Sequence, residues 1–255
     1  MKSLLLLLVV IGVAYGAWVS APGSFLYPVK LKVLEPVPFI FAIAVTDRTA
    51  WSAELIGRRI DEAVMLANKQ MLNTDLLTEL EKGMDKQIAY VQKWATGFTE
   101  KKEYAQAIDA ITRLSAVLET RMAYAQTNLI PPLTDEKVKL LVGIADRRNS
   151  LYNSRQTLNA QFMEETLGFD AQVASIRKTT EVTALLEKIQ SGVTAKKERL
   201  GAEAVKSIQD VLDSGRSIMS DAKALSTTDR FNESFLKAQD AYVLAEHARL
   251  LLRNL

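Results

Sequence analysis

The chain has no cysteine and a single histidine, His247, among its 255 residues. The first absence excludes disulfide scaffolds, thiol catalysis and thiolate metal sites. The second leaves a zinc enzyme short of imidazoles and makes any serine–histidine chemistry depend on one residue. That histidine lies close to the end of a terminal helical pattern and reads as a surface or packing residue. Proline is nearly missing beyond residue 38, where only the adjacent Pro131 and Pro132 occur. Runs of β-branched and aromatic residues alternating with period two are missing as well, which excludes a sheet. Nor does either sign of charge dominate: 32 Lys and Arg face 30 Asp and Glu, for a net charge of +2. A nucleic-acid binder normally carries a basic stripe large enough to dominate its domain. Here Lys101-Lys102 and Lys196-Lys197 have Glu100, Glu103 and Glu198 beside them and read as solvated helix faces.

Catalytic signatures are scarce too. No Gly-x-Gly-x-x-Gly, phosphate loop or nucleophile elbow occurs. The Glu-x-x-His spacing of di-iron bundles is missing, and in Glu246-His247 the two side chains diverge by about 100° on a helix. Glu164 and Glu165 with Asp170 are the one carboxylate group that offers a cation a site. The expectation is a protein with no catalytic, cofactor-binding or metal-ligating residues, and no cofactor.

What is present is ordinary globular material, 48% hydrophobic and 24% charged, at a length that supports a sizeable core. Its N-terminus is different. Lys2 precedes an uncharged run from Leu4 to Val19, and Ala14-Tyr15-Gly16 sets small residues where a signal peptidase needs them. Residues 1–16 read as a signal peptide, or as an uncleaved anchor reaching about residue 21. The run is somewhat short of the roughly 20 residues a membrane-crossing helix needs. Either way the rest of the chain is expected outside the cytoplasm. A second apolar run, Val37 to Val45, is too short to span and reads as a buried core segment.

From Asp47 onward the pattern is helical, and the expected fold is an all-α antiparallel bundle or tandem array of hairpins with seven to eight helices. Thr46 or Asp47 is expected to cap a helix striped with Ile56, Ile60, Ala63, Ala67 and Met71. Asn73-Thr74-Asp75 turns into a second, carrying Leu76, Leu80, Met84, Ile88, Val91 and Trp94 and ended by Gly97. A third runs from about Glu100 to Asn128. Pro131-Pro132 divides an N-terminal domain, 22–130, from C-terminal hairpins, 131–255, that are either separate or continuous with it. Thr134 caps the next helix, with Leu133 and Val138 placed as a hydrophobic staple. Its row is Leu141, Ile144, Arg148, Leu151, Arg155, Leu158 and Phe162, with two arginines that need carboxylates to answer them. Gly168 ends it. Ser191-Gly192 is expected to turn a helix over 170–191, striped with Ile176, Leu186 and Ile189, into another over 195–224. The last starts near Ser226, whose spacing to Asp229 suggests a capping box, and buries Phe231, Phe235, Ala238, Tyr242, Ala245, Ala248 and Leu252.

One motif stands out. Pro22-Gly23-Ser24-Phe25-Leu26-Tyr27-Pro28-Val29-Lys30 is followed, after a spacer, by a helix bearing Glu54, Arg58, Arg59, Ile60, Glu62 and Ala63. Leu26, Tyr27, Pro28 and Lys30 together with that helix resemble a family of exported bacterial helical domains of unknown function, numbered 5667. The resemblance covers residues 22–75, weakens toward 130, and departs from the family at Glu35-Pro36-Val37-Pro38, where an amphipathic helix is usual. It implies an exported helical domain and brings no activity with it. The residues themselves have a structural reading: Glu54–Arg58 and Arg58–Glu62 are i,i+4 pairs worth about 0.2–0.5 kcal/mol each. Lys30 or Arg59 ties the N-terminal segment to the helix through a carboxylate.

The function expected from these observations is a non-enzymatic helical protein of the cell envelope that interacts with a partner protein there or serves a structural role. The alternative is a membrane-anchored extracytoplasmic sensor or regulatory domain. Membrane contact would run through the N-terminal segment, and no nucleic acid is involved.

Overall fold

The computed structural model describes residues 45–254, together with Ser20, Ser24, Tyr27 and Lys30. The leader, Leu26, Pro28 and the stretch 37–44 lie outside the described residues. Over residues 45–254 seven helices follow in order: α1 Val45–Asn68, α2 Thr74–Glu100, α3 Tyr104–Asn128, α4 Asp135–Glu165, α5 Gly168–Lys196, α6 Ala202–Ser226 and α7 Phe231–Asn254. Among the described residues there is no strand, and the chain is all-α. No described helix is long and apolar enough to cross a membrane.

The chain forms two compact units, one of residues 1–89 and 124–143, the other of residues 90–123 and 144–255. Pro131 and Pro132 belong to the first. In that unit the α1 row Ile56, Ile60, Ala63 and Ala67 is buried, as are Leu80, Met84 and Ile88 of α2. Thr46 and Asp47 lie inside α1 instead of capping it, because the helix has already begun at Val45. The α1 stripe stops at Ala67; Met71 is exposed beyond the helix end. The Asn73 side chain caps α2 by accepting the Leu76 N–H at 2.9 Å. Around the prolines the backbone is held by side chains. The Asn68 amide donates to the Asn128 carbonyl at 2.8 Å and accepts the Ile130 N–H at 2.9 Å. The Lys137 ammonium donates to the carbonyls of Ile130 and Pro132 at 2.5 and 3.1 Å. Thr134 caps α4 as expected, accepting the Lys137 N–H at 3.4 Å. The staple does not form: Leu133 and Val138 are both exposed.

In the second unit α7 packs on α5 and α6, which also pack on each other. Val182, Leu186, Ile189, Ile208, Leu212, Met219 and a row of alanines on α7 (Ala238, Ala241, Ala245, Ala248) form its core. The α4 row is buried at Ile144, Leu151, Arg155, Leu158 and Phe162, and the Phe162 ring meets Phe235 at 4.7 Å. Two buried hydroxyls are satisfied in a chain: Ser175 donates to Ser234, and Ser234 to the Ala222 carbonyl, each at 2.7 Å.

Three expected helix breaks fall elsewhere. Gly97 lies within α2, which continues to Glu100. Gly192 lies within α5, where an added Cβ would stand 2.7 Å from Leu252 Cδ2; this glycine admits α7 closely and does not turn the chain. The turn comes at residues 197–201. Ser226 closes α6, and Asp229 adopts a left-handed φ of 59° in the connection before α7, so no capping box exists there. Ile176 is 52% exposed, because the inward face of α5 begins with Ala171, Ala174, Ser175 and Lys178.

Glycines in α2 and α6 therefore differ in what a side chain would meet. At Gly97 nothing lies within 4 Å, whereas at Gly215 the new Cβ meets Leu186 Cδ2 at 3.2 Å and Leu244 Cβ at 3.7 Å. Gly97→Ala is expected to stabilise the fold by about 0.5–1 kcal/mol in urea unfolding. Gly215→Leu is expected to cost about 2 kcal/mol or more, since it forces α6 away from its neighbours. Equal effects at the two positions would contradict this packing.

Candidate functional site

Three groups of charged side chains enter the helix seams. In the first unit Glu62 is the centre. Its carboxylate accepts from the Tyr27 hydroxyl at 3.0 Å, from Arg59 Nη1 at 2.5 Å and from the Lys30 ammonium, which also donates to the Ser20 carbonyl at 3.2 Å. All four side chains are buried. Lys30 and Arg59 also flank the Tyr27 ring, 5.5 and 5.6 Å from its centroid. Gly83 of α2 makes room for Arg59, whose Nε would lie 3.4 Å from a Cβ there. Lys30 thus joins the N-terminal segment to α1 through the Glu62 carboxylate, whereas the Arg59–Glu62 pair lies within α1 and Arg59 meets that segment only at the Tyr27 ring. Arg58 pairs with Glu54 at 3.4 Å and covers the Trp51 ring at 4.9 Å. The expected Arg58–Glu62 pair does not form, because Glu62 faces inward to Arg59 and Lys30. Leu26 and Pro28 lie outside the described residues.

In the second unit a lysine occupies the seam. Lys178, 1% exposed, meets Asp109 at 2.9 Å and Glu181 at 3.2 Å, and its ammonium stands 4.2 Å from the Tyr242 ring centroid. Arg113 pairs with Glu181 at 2.6 Å and donates to the Tyr242 hydroxyl at 3.1 Å. The Gln239 amide donates to Asp109 at 2.5 Å. Arg177, more than half exposed, reaches the other oxygen of Asp109 at 3.8 Å, so three cations meet two anions here. Burial pushes the Asp109 carboxyl up, but Lys178, Arg113 and Gln239 together outweigh it and hold it below the usual carboxylate range. Burial also raises the Tyr242 hydroxyl, so it remains a neutral partner.

The third group is incomplete. A cavity of about 500 Å³ in the second unit is lined by Glu119, Arg148, Tyr152, Val243, Leu244 and His247. Of the two seam arginines of α4, Arg155 finds Asp240 at 2.5 Å. Arg148 finds only the Asn149 side-chain oxygen, at 3.2 Å. Among the described residues no hydrogen bond or ion pair reaches the Glu119 carboxylate or the His247 imidazole. Burial pushes the Glu119 carboxyl up, against the pull of Arg155 and Arg148, and Asp240 adds to the rise. Burial alone lowers His247. This histidine is half-buried on the cavity wall.

The carboxylates Glu164, Glu165 and Asp170 do not converge on a cation position. Glu165 is held by the Tyr104 hydroxyl and by Lys102 at 3.2 Å. No group of three or more ligating side chains occurs among the described residues. Sequence reasoning missed Glu119, Asp109 and Lys178. The available signal was Lys178 itself, which falls on the inward positions of α5 with Ala171, Ala174 and Val182.

Removing Asp109 leaves the buried Lys178 ammonium with only the partly exposed Glu181 to answer it. Asp109→Asn is expected to cost on the order of 3 kcal/mol at neutral pH in chemical denaturation. The paired change Asp109→Leu with Lys178→Met should cost clearly less than the sum of its single changes. Because the folded pKa of Asp109 is depressed, its contribution is present above the unfolded value and lost as pH falls through the folded one. Asp109→Asn should therefore differ less from wild type in acid. Additive costs, or no convergence in acid, would contradict the pairing.

No family model, no curated protein and no solved structure matches the chain.

Proposed function

We propose that the chain is an exported, non-enzymatic helical module of the cell envelope that works by holding a partner protein. Lys2, the apolar run Leu4 to Val19 and the small residues at Ala14 and Gly16 support export. The observation that carries the interaction is an apolar row left in solvent at the start of α5. Phe169, Val173 and Ile176, at i, i+4 and i+7, are 75%, 46% and 52% exposed, with Leu167 at 71% beside them. A helix that presents such a row while its inward face is already filled suits a protein contact. Kinship with the exported family numbered 5667 belongs to the same proposal, through Tyr27, Lys30, Glu54, Arg58, Arg59 and Glu62. A membrane-anchored extracytoplasmic sensor is the second reading, favoured by the unanswered charges around Glu119.

Mass measurement of the N-terminus from separated soluble and membrane fractions tests the proposal. The expected product starts at Ala17, lies outside the cytoplasm, and loses its co-purifying envelope protein on Phe169→Glu. An intact Met1 in the membrane fraction would support the anchored sensor instead. A cytosolic product starting at Met1 would overturn both.

A further inference from the structure

The cavity between α3, α4 and α7 differs from the other charged groups of the second unit in one respect. Elsewhere a seam charge has its opposite in contact: Asp109 with Lys178, Arg113 with Glu181, Arg155 with Asp240. Here a half-buried carboxylate and a guanidinium line one cavity, and among the described residues neither makes an ion-pair contact, although Arg148 and Arg155 act on Glu119 through space. An ionised Glu119 with no cation in contact, in a partly desolvated position, costs stability that Arg155 and Arg148 offset only in part, and a protein keeps such a cost where function needs it. The volume of about 500 Å³ falls within the range of small-molecule sites, roughly 300–1,000 Å³. One part of the lining is apolar, Val243 and Leu244, and Tyr152 adds a ring. His247, kept neutral by burial, adds a donor and an acceptor without adding charge.

We infer that this cavity binds a small zwitterion of the amino-acid type: its ammonium answers Glu119, its carboxylate answers Arg148, and its apolar body lies over Val243 and Leu244. A ligand with only one charge leaves one of the two protein groups unanswered. An ammonium alone leaves Arg148 without an anion, and a carboxylate alone faces Glu119 directly. Specificity therefore comes from the protein group that the wrong ligand leaves unpaired or repels, not from the apolar contact they share. The site does not depend on export or on a protein partner, so its test stands apart from theirs.

Three probes with the same apolar body separate these terms: L-phenylalanine, phenethylamine, which lacks the carboxylate, and 3-phenylpropanoate, which lacks the ammonium. Calorimetric titration of the purified full chain, with amide spectra recorded in parallel, reads affinity and location. L-Phenylalanine is expected to bind at least about tenfold tighter than either analogue, a difference of about 1.4 kcal/mol. Its shifts should centre on the backbone around Asn149, Val243 and His247. Glu119→Gln should remove the preference over 3-phenylpropanoate and leave that over phenethylamine. Arg148→Gln should do the reverse, which a general loss of folding could not imitate. Equal affinity for the three probes, shifts centred elsewhere, or no binding at millimolar concentration would overturn the inference.

Discussion

A charge carried into a helix seam must meet its opposite there, because each ion moved out of water loses several kcal/mol of hydration that only a well-placed partner offsets. With no cysteine to cross-link the helices, the seams also have to hold by packing alone. The second unit meets both demands on the same faces. Ala238, Ala241, Ala245 and Ala248 keep α7 slim, and Gly192 and Gly215 let its neighbours approach closely. On the same inward face of α5, Lys178 meets Asp109 of α3 at 2.9 Å. The first unit follows the same rule at Glu62, where two cations and a tyrosine hydroxyl converge on one carboxylate.

Such clusters stabilise little in net terms, since apolar residues of similar volume often do as well. Their effect is on register. Asp109 satisfies Lys178 only when α3 and α5 are aligned at those two positions, and a slip of one turn leaves the ammonium only Glu181 of its own helix. Against that background the Glu119 cavity is the exception, and its composition follows from the exception. A pocket whose walls carry one unpaired anion and one unpaired cation selects ligands that carry both charges, whatever their apolar body.

The stripes were legible because burial in a helical protein repeats every three or four residues, and Ile56, Ile60 and Ala63, or Leu151, Leu158 and Phe162, obey that period. The pairing of Lys30 with α1 has a local reason: the helix turns one carboxylate, Glu62, inward beside Arg59. Helix ends were less legible. Gly97 and Gly192 look like stops in sequence, yet one sits in open space and the other is a spacer beneath Leu252, and only the neighbour distinguishes them. Seam partners far apart in sequence left no local trace. Arg155 and Arg148 announced that they needed carboxylates, but that Asp240 meets one while no carboxylate among the described residues contacts the other depends on how α7 lies against α4.

The second unit sets a buried carboxylate with a cation in contact, Asp109, against a half-buried one without, Glu119. Carbon-13 detected titration of the side-chain carboxyls measures this contrast directly. Asp109 is expected to titrate below the usual carboxylate range and Glu119 above it. If Glu119 instead titrates at or below that range, a partner answers it in solution and the contrast is wrong; if Asp109 titrates in the ordinary range, the Lys178 pair does not hold the seam.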